Sequence, residues 1–194
     1  MEEIDPKYIR ISSILSIIPT LGSDQKWGFP IQSIDPDILQ RKADLGSNVH
    51  QAIADHIRNE FCVITEKEQA YMNSYLKWEK SIDLKCHEVE KRFYYEPMKL
   101  TGCIDMIGKI EGEKLYRIID FKCTVSPDHV KWRLQAAFYA FLAQVNEMKL
   151  DSTCFFVQLN SNGDYPKVHK YEITKELTTT ALSLYNFYMY LTRS

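Results

Sequence analysis

The chain has 194 residues, which suits one domain of ordinary size. Apolar residues make up 45% and charged residues 26%, with 7 glycines and 7 prolines, a composition that excludes disordered and collagen-like classes and allows a sizeable core. The formal net charge is −2, so there is no molecule-wide basic footprint, and any site for a polyanion must be local.

In chain order, the segment from Leu21 to Pro36 reads as loop, with Gly22, Gly28, Pro30 and Pro36 close together. Ser47 is placed to cap a helix whose apolar stripe is Val49, Ile53, Ile57 and Phe61, which sets His50 in its first turn. Glu66 to Ile82 lacks Gly and Pro and carries Ala70, Tyr71, Tyr75 and Trp78, so it reads as a second helix. From Lys85 the period falls to two: Val89, Phe93 and Tyr95 alternate with Glu88, Glu90 and Arg92, the pattern of a strand with one solvated face. Leu100 to Ile110 and Leu115 to Cys123 are two more strands, joined by the hairpin loop Glu111-Gly112-Glu113-Lys114.

Ser126-Pro127 then predicts an N-cap and first helical position for a helix through Met148, with Leu134, Phe138, Phe141, Val145 and Met148 as its core stripe. Strands over Thr153 to Leu159 and Val168 to Ile173 and a helix from Thr174 complete the chain. The order predicts an α/β (α+β) fold, a mixed sheet flanked by helices. It forms one domain: a helical part over about 1–83, a sheet-and-helix core over about 85–173 and a terminal helix over about 174–194.

The five cysteines are odd in number and scattered without CxxC, as expected of reduced thiols packed as small hydrophobes in a cytosolic protein. Trp27, Trp78 and Trp132 are read as packing residues. The start, Met1-Glu2-Glu3, is acidic where a leader would be basic, and the stretch Leu177 to Thr192 is too polar and too short for the roughly 20 apolar residues of a membrane span. Neither export nor a membrane segment is expected.

The hairpin carries the sharpest inference. If Ile110 pairs with Leu115, counting back along both strands sets Asp105 opposite Asp120, and Lys122 projects on the same face as Asp120. Like charges so placed destabilise a sheet unless a cation lies between them. Hard divalent ions such as Mg²⁺ or Mn²⁺ take such oxygen ligands, and Glu88 or Glu90 on the preceding strand can add a third carboxylate. The lysine can offset charge developing on a phosphoryl group. His50, at the positive end of a helix dipole, is expected neutral and able to bind metal. Together these parts suit metal-assisted phosphodiester hydrolysis.

Leu45-Gly46-Ser47-Asn48-Val49-His50, Glu90, Gly102-Cys103-Ile104-Asp105, Asp120-Phe121-Lys122 and Gln135-Ala136-Ala137-Phe138-Tyr139 stand in the order and approximate spacing of a known family. In these residues the chain resembles the PD-(D/E)xK nuclease superfamily, and more narrowly its RecB-type exonuclease branch, which includes mitochondrial genome-maintenance and phage exonucleases. The likeness runs from about Ser12 to Gln144, with Ile104 in place of the proline and Asp120 where many members have Glu.

The resemblance implies a restriction-endonuclease-like core and a Mg²⁺- or Mn²⁺-dependent deoxyribonuclease, an exonuclease acting in DNA repair or recombination. It further implies that Asp105, Asp120, the Phe121 carbonyl and His50 bind metal, and that Glu90 serves a second metal or positions water. Lys122 would be the catalytic lysine, Gln135 and Tyr139 would contact substrate or brace Lys122, and Lys131 and Arg133 would contact substrate at its phosphates. DNA, as single strands or duplex ends, is the implied partner, in a bacterial or phage setting. No iron-sulfur cluster is expected, since only Cys154 follows the last motif. Positive potential is expected around Lys122, Lys131 and Arg133. Two competing readings are a silent nucleic-acid-binding module of the same fold and a metal-dependent phosphohydrolase acting on small molecules.

Overall fold

A computed structural model of the chain describes residues 5–18 and 35–192. Trp27 and most of the loop expected from Leu21 to Pro36 lie outside these residues. The described elements are β1 (Ile9–Arg10), α1 (Ile11–Ser16), α2 (Pro36–Arg58), α3 (Glu66–Glu79), β2 (Leu84–Tyr95), β3 (Leu100–Ile110), β4 (Arg117–Lys122), α4 (His129–Val145), β5 (Thr153–Gln158), β6 (Lys167–Glu172) and α5 (Lys175–Thr192). The short pair β1 and α1 has no counterpart in the sequence reading.

Helix α2 corrects that reading most. Its cap is Asp35, whose carboxylate accepts the Asp37 N–H at 2.9 Å, and Pro36 fills the first turn, where no N–H is needed. Ser47 is therefore mid-helix, and His50 is several turns from the N-terminus. The dipole argument for a neutral His50 does not hold. Residues 36–44 are exposed, so this part of the helix carries no apolar period that pattern reading could detect. Asn59, left-handed at φ 57°, stops the helix, and Phe61 is 91% exposed rather than part of the stripe. Helix α3 forms as expected, with Tyr71, Tyr75 and Trp78 buried and the Glu68 carboxylate accepting the Thr65 N–H at its start.

Helix α4 begins at His129, capped by Asp128, whose Oδ1 accepts the Lys131 N–H at 3.1 Å. Ser126-Pro127 remains in the preceding loop. The helix ends at Val145, so Met148 is outside it and Val145 is exposed. Trp132, Leu134, Ala136 to Ala140, Leu142 and Ala143 are all buried, a wider face than the predicted stripe, because α4 packs against the sheet and against α1 and α5.

The six strands form one mixed sheet in which β1, β3, β4, β5 and β6 follow one another and β2 pairs β3 from the other side. Met106 faces Ile119, Ile107 faces Ile118 and Gly108 faces Arg117, the register the sequence implied, although β4 starts at Arg117 rather than Leu115. Tyr116 bridges Leu150 instead. One core, of Ile14, Leu100, Ile104, Ile107, Ile118, Phe138, Leu142 and Phe156 among others, lies between the sheet and α1, α4 and α5. A second, around Val49, Ile53, Tyr75, Trp78, Met106, Ile119 and Phe121, lies on the α2 and α3 side. Among the described residues no helix is long and apolar enough to cross a membrane.

Candidate active site

Strand β3 has two edges, and they are used differently. Strand β2 follows one from Ile110 to Leu100. The other edge is shared: β1 takes Leu100 and Thr101 in parallel, and β4 takes Met106 to Gly108 antiparallel. Residues 102–105 lie between these two ladders, because β4 turns away to run parallel to β5 from Ile119 to Lys122. The expected functional residues gather at this opening.

The ladders place three carboxylates at one level across the sheet. Extending the β3–β4 register by one residue sets Asp105 against Asp120, and the β2–β3 register sets Glu90 against Asp105. Neither pair is part of a ladder. Glu90 takes a left-handed backbone conformation (φ 50°), and β3 loses its alternation here, since Ile104 and Ile107 enter one core and Met106 the other. Adjacent like charges are unfavourable in a flat sheet, and the sheet is distorted where they meet. Asp105 Oδ2 accepts the Phe121 N–H at 2.8 Å, which satisfies a backbone donor that the parted strands leave open. The Phe121 ring is buried against Tyr75 and Trp78.

His50 reaches the row from α2. Its Nδ1 is 3.4 Å from Asp105 Oδ2 and 3.8 Å from Glu90 Oε1, and ligand atoms of His50, Glu90 and Asp105 all lie within 4.8 Å of one another. Glu88 turns outward to Lys91. Burial alone would lower the His50 pKa, but Asp105, with Asp120 and Glu90, outweighs it and raises the pKa to about 9. Asp105 shows the reciprocal effect: burial opposes ionisation, yet His50 and Lys122 hold it below the usual carboxylate range. Burial and the neighbouring Asp105 push Glu90 up. Asp120 is also raised, by burial first and by Asp105, against the pull of Lys122.

Lys122 Nζ is 2.7 Å from Asp120 Oδ2 and donates to Gln135 Oε1 at 3.0 Å. Gln135 Nε2 donates to Asp120 Oδ1 at 3.1 Å and to the Tyr139 hydroxyl at 2.8 Å. Thus Gln135, one turn before Tyr139 on α4, fixes acid and lysine relative to each other. Two carboxylates and an imidazole form a donor set that suits a hard divalent cation, and their close approach in the fold is consistent with holding one.

A cleft of about 550 Å³ runs from Lys122, Gln135 and Tyr139 between α1 and α4. Lys131 lines it, paired with Asp128 at 3.9 Å, as do Arg10 and Arg92. Arg133 does not: it points the other way, over the Tyr171 ring, and the structure gives no support for its expected substrate contact. Trp132 is buried and stacks on Phe156. Arg10 and Arg92 were missed from the sequence. Arg92 was visible only as one of three polar residues on an alternating strand, which pattern alone reads as a solvated face.

A mixed sheet flanked by helices, with three carboxylates and a lysine gathered where two of its strands part, is consistent with a nuclease fold. The chain belongs to the PD-(D/E)XK nuclease superfamily, whose family model matches residues 62–185. No curated protein matches the sequence. Among solved structures, it is similar to a protein of Eubacterium rectale described as a candidate exonuclease, at 12% identity and a TM-score of 0.56 over 97% of this chain and 85% of that one. An alkaline exonuclease from Laribacter hongkongensis is similar at 10% identity and a TM-score of 0.49 over 96% and 92%. At such identities the likeness is one of fold.

Proposed function

We propose that this nuclease hydrolyses phosphodiester bonds of DNA from an end, using a divalent cation. The observation that carries the reading is the convergence of Asp120, Lys122 and Gln135 beside the His50, Glu90 and Asp105 cluster, at the mouth of a cleft lined by Arg10, Arg92 and Lys131. Superfamily membership supports it independently.

His50, Glu90, Asp105 and Asp120 would hold Mg²⁺ or Mn²⁺, which when bound lowers the pKa of water and offsets charge on phosphoryl oxygens. Lys122, kept in place by Asp120 and Gln135, donates to an oxygen of the attacked phosphate and stabilises the charge that develops there. Glu90, beside Asp105 and His50, would also position the attacking water. Tyr139 holds Gln135 through its hydroxyl and closes the inner wall of the cleft.

The test is incubation with end-labelled linear single strands, linear duplex and closed circles in Mg²⁺, Mn²⁺ or EDTA, beside Asp120→Ala and Lys122→Ala. Loss of linear DNA only with metal, survival of circles and two dead variants are expected. Cut circles would remove the end requirement. DNA binding without cleavage in any metal would favour a silent module, and turnover of small phosphodiesters without DNA binding would favour the phosphohydrolase.

A further inference from the structure

Among the described residues, the cations that are removed from water have partners, with one exception. Arg117 is bound by Glu113 and Asp151, Lys122 by Asp120, Lys131 by Asp128, and Lys109 lies over the Tyr116 ring. Arg92 is half-buried too, yet among the described residues it has no ion pair, no side-chain hydrogen bond and no aromatic ring beneath it. A partly desolvated charge without a counter-ion costs free energy that a folded protein ordinarily recovers through a partner. Arg92 lines the cleft and faces Cys103 across the β2–β3 ladder. It is two residues along β2 from Glu90, a separation of roughly 6.6 Å in an extended strand. Arg10 and Lys131 line the same cleft. The anion that completes Arg92 therefore belongs to whatever occupies the cleft beside the carboxylates.

We propose that Arg92 is a substrate-binding residue that takes a backbone phosphate neighbouring the scissile one, so that the cleaved strand lies between α1 and α4 across the open edge of β3. The inference rests on the nuclease reading above and adds to it the path of the strand. A planar guanidinium presents paired N–H donors that match phosphate geometry, which a lysine at this point would not reproduce.

The test uses fluorescence anisotropy of a short labelled single-stranded oligodeoxynucleotide in EDTA, titrated over KCl, with wild type, Arg92→Gln and Arg92→Lys. Arg92→Gln should weaken binding at low salt by about tenfold or more. It should also lower the slope of log affinity against log salt by about 0.7, the value of one phosphate contact on a single strand. Arg92→Lys should restore the slope but only part of the affinity. Thermal unfolding separates this from a structural role: with no partner to lose, Arg92→Gln should melt at the wild-type temperature or higher. A glutamine variant with wild-type affinity and slope, while wild type binds, would overturn the assignment of Arg92 alone. A lower melting temperature with unchanged salt slope would also overturn it. Failure of wild type to bind the oligonucleotide at all would overturn this inference together with the DNA reading.

Discussion

Asp105 accepts the backbone N–H of Phe121 at 2.8 Å, so a carboxylate supplies the hydrogen bond that β3 and β4 no longer supply once they part. The same oxygen is 3.4 Å from His50. One side chain thus serves both the fold and the candidate cation site. The two roles separate by substitution. Asp105→Asn keeps an acceptor for Phe121, whereas Asp105→Ala leaves a buried N–H unpaired and should be the less stable of the two by about 1–3 kcal/mol. Both should lose metal-dependent cleavage. Urea unfolding of the pair in EDTA measures the difference, and equal stability would show that the Phe121 contact contributes nothing.

Gln135 has no hydrogen bond to His50, Glu90 or Asp105 but joins Asp120 to Lys122. Gln135→Ala should therefore reduce the single-turnover cleavage rate by about 10–100-fold, the usual cost of removing an orienting partner. Mn²⁺ affinity, read by titration calorimetry, should fall as well, because Gln135 also orients the Asp120 carboxylate. A variant that cleaves at the wild-type rate would mean that Lys122 needs no such support.

The His50 imidazole has a pKa raised from 6.5 to about 9 in the fold. A group whose folded pKa exceeds its unfolded value stabilises the fold through its protonated form, fully below the unfolded pKa and less as pH rises through the folded one. In EDTA, the part of the stability that comes from His50 should therefore be lost between pH 6.5 and about 9, and His50→Gln should flatten that segment of the profile. Imidazole binds a cation only when neutral. Uptake of Mn²⁺ near neutral pH should then release a proton from His50, seen as a calorimetric heat that depends on the buffer and whose buffer dependence shrinks in His50→Gln, the raised carboxyls of Glu90 and Asp120 supplying the remainder.

Gly102 stands where three elements converge. A Cβ there would lie 2.5 Å from Ile11 Cδ1, 3.1 Å from Leu142 Cδ1 and 3.2 Å from Tyr139 Cε1. Crowding on three sides leaves little room to shift, so Gly102→Ala should cost about 1–3 kcal/mol. Ile11→Ala in the same chain should return part of that loss. Chemical denaturation of the four proteins of the cycle checks it, and additive effects would show that Ile11 is not what the new methyl group meets.

Short-range pattern carried much of the fold. The alternation of β2, the apolar runs of β3 and β4 and the gap-free α3 all come from local periodicity, and the hairpin count set Asp105 level with Asp120 because a short loop leaves few registers open. Where burial was absent, pattern failed: the exposed first half of α2 had no apolar face to show, and its omission displaced His50 into a first turn that it does not occupy. Arg133 lies over the Tyr171 ring rather than along the cleft for a related reason. Its position on α4 was known, but which side of α4 faces the cleft depends on β6 and Tyr171, far away in sequence.

Residue types and spacing alone were enough to set Asp105, Asp120 and Lys122 together, since strand pairing is a local rule that translates sequence separation into distance, whereas Gln135 was named only through the family resemblance. Long-range packing decided the rest. That β1 and β4 share one edge of β3 and leave residues 102–105 between them, that α2 brings His50 against Asp105, and that Arg92 lines the cleft with no ion pair among the described residues all depend on contacts between segments tens of residues apart. Such contacts form only when the buried faces of whole elements meet, and no local period encodes which faces those will be.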